Sequence, residues 1–208
     1  MKTEPELAAF QRFQVGNSCS FHAISTAFKL LLSVNFDPQI LSDEIDYLWW
    51  RFKPMRIFPG WAVTPRNQKQ IVKYLAKTRN LPVTASFTHG TPEHLMECLT
   101  RQDAVPLVTI LWLRGHAPGI YLGDSSINRN ADLHANAHTM LLAAYDPSHV
   151  TFGIGNTPWG FINSWSNGGS QLFWMRDDEF QRTWDFFLPL VGPRPLVLIE
   201  RTACCLIT

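Results

Sequence analysis

Cys19 stands where a helix should begin, directly after the polar run Gly16-Asn17-Ser18. The first N–H groups of a helix lack intrahelical partners and carry partial positive charge, which favours a thiolate over a thiol. The position therefore suits a nucleophile. The other three cysteines do not share it. Cys98 falls within an apolar helical pattern and reads as a small buried residue, and Cys204 and Cys205 follow the last expected strand with no histidine nearby.

A thiol nucleophile needs an imidazole beside the sulfur and a group that orients the imidazole. His138 stands at a loop-to-strand junction in Ala137-His138-Thr139-Met140-Leu141-Leu142, where the start of a core strand would hold the ring rigidly at a cleft. Asn163, in Phe161-Ile162-Asn163-Ser164-Trp165, has an amide oxygen that can accept the second ring N–H and so set tautomer and ring angle. Trp165 is placed to shield that bond from water, and Trp159 is expected to line the same cleft. Gln14, five residues before Cys19, could donate to a developing oxyanion together with the backbone N–H of Cys19. His22 lies three residues after Cys19, on nearly the same helix face, and is a weaker candidate base or a pocket residue.

These residues must be carried by two kinds of element. The pattern predicts helices from Cys19 through the stripe Phe21, Ile24, Phe28 and Leu31, from about Pro38 to Phe52, from Pro65 to Arg79, and from Pro92 to Gln102. After residue 104 the period shortens. Val105 to Leu113, His138 to Tyr145, Phe152 to Ile154, Gly160 to Trp165, Leu172 to Met175 and Leu196 to Glu200 read as strands, and 114–137 reads as a long loop. Helices first and antiparallel strands second is an α+β arrangement. The length of 208 residues fits a single domain spanning 1–208.

In order along the chain the set is Gln14-x-x-x-x-Cys19, then Ala137-His138-Thr139-Met140-Leu141-Leu142-Ala143-Ala144-Tyr145-Asp146, then Asn163-Ser164-Trp165-Ser166-Asn167-Gly168-Gly169. This order resembles the papain-like cysteine protease superfamily. The His-strand-Tyr-Asp segment is similar to the bacterial branch that trims double-glycine leader peptides, and Asn-Ser-Trp is similar to papain. His138 and Asn163 follow Cys19 by 119 and 144 residues, against about 130–150 in papain-type enzymes. The resemblance implies an N-terminal helical lobe (about 1–104) carrying the nucleophile and a C-terminal β lobe (about 105–208) carrying base and orienter. The active site would lie between them and take a peptide or protein substrate. It implies a cysteine peptidase or amide hydrolase. The same three residues would equally serve an acyltransferase or a glutamine or asparagine deamidase, or the fold could serve binding alone. The chain departs from the family in having Ser20-Phe21-His22 after the nucleophile, Gln14 one residue nearer than in papain, and Ser166 where a glycine is usual.

The bulk composition leaves other classes little room. With 46% apolar, 17% charged residues and a net charge of +1, the chain can build a core and has no strong field. No basic patch interleaved with aromatics suggests a nucleic-acid partner. No cofactor and no metal is expected. His134 and His138 are spaced for a helical metal site, but their segment reads as loop and has no Glu after His134. The unpaired cysteine pattern and the polar N-terminal residues favour a cytoplasmic setting; delivery of a bacterial effector into a host cell is the alternative. Cys205-Leu206-Ile207-Thr208 has the form of a prenylation box, so membrane association is expected only if Cys205 is lipidated.

Overall fold

Three helices open with the same device: a capping side chain followed by proline. Asp37 accepts from the N–H of Gln39 (2.7 Å) and Ile40 (3.2 Å), Thr64 from Asn67, and Thr91 from His94, with Pro38, Pro65 and Pro92 next in line. Each cap satisfies an orphan N–H and is worth about 1 kcal/mol, and proline at the first turn lacks the N–H that would otherwise go unpaired. The helices are α1 (Glu4–Ala8), α2 (Cys19–Leu32), α3 (Pro38–Trp50), α4 (Pro65–Thr78), α5 (Pro92–Thr100) and α6 (Asp177–Trp184). The computed structural model describes residues 2–14, 16–122, 125–126, 136–165, 171–187 and 191–202.

The strands are β1 (Val83–His89), β2 (Ala104–Trp112), β3 (Tyr121–Leu122), β4 (Ser125–Ser126), β5 (Asn136–Tyr145), β6 (Val150–Thr151), β7 (Gly155–Asn156), β8 (Trp159–Ile162), β9 (Phe173–Met175) and β10 (Pro195–Arg201). Eight form one sheet in the order β1-β10-β2-β5-β8-β9-β3-β4, and each described pairing is antiparallel. The fold is thus mixed α and β around a large antiparallel sheet.

Side-chain alternation gives the sheet two apolar faces. Along β2, Val105 and Leu107 join Leu141, Val197 and Ile199 against Phe21, Ile24, Phe28, Ile45 and Ile71 of α2, α3 and α4. Val108 and Ile110 turn the other way, to Met140, Phe161, Phe180 and Trp184, under α5 and α6. The sheet is therefore covered by helices on both faces, and both halves of the chain contribute to it.

The segment 114–137, expected as a loop, carries the short strands β3 and β4, and two further features differ from the sequence expectation. Strand β1 and helix α6 break the helices-then-strands order. Val83–His89 alternates only weakly and was hidden between two well-capped helices, whereas α6 is short and mostly polar. Residues 152–154, expected as strand, form the turn between β6 and β7; Gly153 sits at φ +73°, a conformation that a glycine adopts without strain.

Candidate active site

Strand β5 is paired to β2 from Asn136 onward, but β8 joins its other edge only at Leu141↔Ile162. The first residues of β5 therefore have an open edge. The N-terminus of α2 meets that edge. Cys19 is the first residue of α2 and half-buried. The backbone N–H of Thr139 in β5 and that of Ser20 in α2 both hydrogen-bond its sulfur, as does the His138 ring.

His138 is 3% exposed and Asn163, just past the end of β8, is 2% exposed. The His138 Nε2 lies 2.7 Å from Asn163 Oδ1. An amide oxygen only accepts, so Nε2 carries the proton, and Nδ1 is left as the ring nitrogen for the thiol. Trp165 stacks on the imidazole with ring centroids 4.5 Å apart and planes 27° from parallel. The chain order Cys, His, Asn-Ser-Trp thus converges in space, with the Trp165 ring lying over the imidazole.

The surroundings decide the charge state of the sulfur. Burial alone would raise the Cys19 pKa. The His138 hydrogen bond and charge, with the N–H groups of Thr139 and Ser20, outweigh it and bring the thiol down to about 7. Cys98, 2% exposed, has no such partners, and burial pushes its thiol up. His22 is driven down to about 4, by burial first and then by Arg12, with Asp37 opposing and His138 adding a little. His22 is therefore neutral near pH 7.

The loop before Cys19 is anchored at two points. The N–H of Gln14 donates to the Ser164 carbonyl (2.7 Å), and the Ser164 hydroxyl donates back to the Gln14 side-chain oxygen. Gln14 Nε2 also donates to Gly16 O (3.0 Å). One amide N–H is thus engaged within the loop, and the side chain lies beside Ser164, the residue after Asn163. Second, Arg56, 2% exposed, donates to Asn17 O (3.1 Å), Ser42 Oγ (3.0 Å) and both carboxylate oxygens of Asp46 (2.7 Å), and lies 4.7 Å from the Phe21 ring centre. Sequence reasoning missed Arg56, because a lone arginine in a Pro/Gly-rich loop looks like solvated surface.

Trp159 does not line this crevice. It is 1% exposed, packs against Tyr145 and Phe180, and donates its indole N–H to Asp177 (2.7 Å). Its position on β8 points it into the core beneath α6. The crevice beside Cys19 is small and lined by Phe10, Arg12, His22, Thr139, Asn163 and Ser164. A cavity of about 590 Å³ lies elsewhere, between α1, the end of α2, α5, β2 and β5, and its lining includes none of Cys19, His138 or Asn163. Asp146 and His149 form a turn, with Ser148 N–H donating to Asp146 Oδ1 (2.8 Å).

Among the described residues, no group of three or more His, Cys, Asp or Glu side chains could hold a metal ion. Among them, too, no helix is long and apolar enough to cross a membrane. His134, Ser166 to Gly169, Cys204 and the Cys205 box lie outside the described residues.

No family model matches the chain, and no curated protein does. Its fold is similar to a crystal structure from Bacillus anthracis, provisionally described as a C39-like peptidase, with a TM-score of 0.57 and 12% identity. The match covers 95% of this chain and 98% of that one. At this identity the likeness concerns the fold. What the two share is the mixed architecture of helices around a large antiparallel sheet.

Proposed function

We propose that the protein is a cysteine peptidase using Cys19 as nucleophile, His138 as base and acid, and Asn163 as orienter. One observation carries the reading: a half-buried thiol at a helix N-terminus, bonded to an imidazole whose far nitrogen is held 2.7 Å from a buried carboxamide. The fold likeness to a C39-like peptidase supports it. In this reading α2 belongs to a helical lobe and β5 and β8 to a sheet lobe, with substrate entering between them.

His138 Nδ1 takes the Cys19 proton, giving a thiolate beside an imidazolium. The thiolate attacks the amide carbonyl, a C–S bond forms, and the oxygen takes the negative charge. The N–H of Cys19, at the unpaired start of α2, is one donor to that oxygen, and the remaining amide N–H of Gln14 is the second. The imidazolium then protonates the leaving amine as the C–N bond breaks. Water, deprotonated by His138, attacks the thioester and frees Cys19 and the acid product. His22, neutral and alongside, shapes the pocket without competing for the proton.

The test is incubation with a peptide library, with products read by mass. A peptidase yields paired fragments that vanish in Cys19→Ala. Mass gain from an added amine would mark acyl transfer, and a shift of about one mass unit at Gln or Asn would mark deamidation. No product in any form, with Cys19 unreactive, would overturn the enzymatic reading.

A further inference from the structure

Helix α4 buries the stripe Gln68, Ile71, Val72 and Leu75 against the sheet, and Gln68 is the one polar member. Its side chain is 0% exposed. Gln68 Nε2 lies 2.9 Å from Thr139 Oγ1, 3.1 Å from Ser20 Oγ and 3.3 Å from Thr109 Oγ1. The Thr109 and Thr139 hydroxyls are 3.0 Å apart across the β2–β5 register, and Ser20 Oγ is 3.3 Å from Thr139 Oγ1. Four elements, α2, α4, β2 and β5, thus send one polar side chain each into a single buried cluster.

The cluster is a poor stabiliser. Two amide hydrogens face three hydroxyl oxygens, and Gln68 Oε1 has no hydrogen-bond partner among the described residues. A buried polar atom left unpaired destabilises, and an apolar side chain of the same size would pack on this stripe without that penalty. Its position matters more. Ser20 follows Cys19 and Thr139 follows His138, and the backbone N–H groups of these same two residues are the ones bonded to the Cys19 sulfur.

We infer that Gln68 is a positioning residue that ties Ser20 of α2 to Thr139 of β5 and thereby holds both N–H groups, and the His138 ring, against the Cys19 sulfur. This rests on the proposed thiol mechanism. Gln68 touches no substrate; it acts by fixing the docking of the α2 N-terminus on the open edge of β5. A shift of the order of an ångström at that junction is enough to cost a large factor in rate. Among the described residues, the titratable or charged groups around Cys19 are His138 on β5, His22 on α2, Arg12 from the preceding segment and Asp37 at the start of α3, whose charge acts on His22. Gln68 has no hydrogen bond to any of them, so a change in thiol reactivity on altering Gln68 reports the backbone donors and the docking.

The experiment is the pH dependence of iodoacetamide alkylation at Cys19, followed by mass, in wild type, Gln68→Met and Ser20→Ala, with peptide kcat, KM and Tm measured alongside. Gln68→Met keeps the volume and is expected to keep or raise Tm. Its alkylation midpoint should rise by about one pH unit and its kcat fall about tenfold, with KM nearly unchanged. A merely structural glutamine would change Tm and leave midpoint and kcat alone, and that result overturns the inference. If Gln68→Met does not fold, Ser20→Ala decides: a raised midpoint supports the tie, and a wild-type midpoint overturns it. A wild-type midpoint already near the ordinary thiol value of about 8.5 removes the mechanism beneath it. A wild-type midpoint near 7, unmoved in both variants, removes only the role of Gln68.

Discussion

His138 and Asn163 are joined by a 2.7 Å hydrogen bond across the point where β5 has not yet met β8. The bond fixes which ring nitrogen faces the thiol. It also leaves Asn163 Nδ2 buried with no partner among the described residues. The amide oxygen is therefore the useful end of this side chain.

That asymmetry separates two substitutions. Asn163→Ala frees the ring to adopt the wrong tautomer and should lower kcat at least about tenfold with little change in KM. Asn163→Asp replaces the orphaned NH2 with a second acceptor oxygen and should retain activity to within about tenfold, since a carboxylate orients and stabilises the imidazolium equally well. Steady-state kinetics on a cleaved peptide would check both. Equal loss in the two variants would show that the oxygen is not what matters.

The anchor at Asn17 makes a stability prediction with a built-in contrast. Arg56 has 1% of its side-chain surface exposed and Asp46 22%. Asp46→Ala leaves a buried guanidinium unpaired and should cost about 3–5 kcal/mol. Arg56→Met leaves a carboxylate that can still reach water and should cost less. Urea unfolding of the two variants would measure the difference. Arg56→Met, which removes the donor to Asn17 O, is also expected to lose thiol reactivity, because the loop leading into Cys19 is no longer held.

His22 gives the protein an acid-sensitive point. The unfolded chain protonates this histidine near its usual 6.5, whereas the folded protein resists until about 4. As pH falls through that window the unfolded state binds the extra proton, so stability drops. A shift of this size corresponds to a loss of at most about 3 kcal/mol once pH is below the folded value, reduced by solvent screening of this partly exposed ring. His22→Leu should flatten the dependence of the urea midpoint between pH 7 and 4. A variant as acid-sensitive as wild type would mean that His22 protonates freely in place.

Much of this was legible in the residues because the signals were local. Proline after Asp37, Thr64 and Thr91 marks helix starts, and Cys19, His138 and Asn163 occur in an order whose chemistry is recognisable. What was not legible depends on contacts distant in sequence. The role of Arg56 comes from a carbonyl 39 residues away. Gln68 did leave a trace, a polar residue on an otherwise apolar stripe, but its meaning needs Ser20 and Thr139 in contact with it. Trp159 was assigned to the cleft from its nearness in sequence to Trp165; alternation along β8 sends it to the core instead. Strand β1 went unseen because its pairing with β10 spans more than a hundred residues.

The rate of iodoacetamide alkylation at Cys19, followed against pH in wild type and in His138→Ala, reads the thiol–imidazole contact directly. A wild-type midpoint near 7, moving up toward the ordinary thiol range and slowing at neutral pH in the variant, is the outcome required if His138 activates Cys19. A wild-type midpoint near that of Cys98, unchanged by loss of the imidazole, would contradict it.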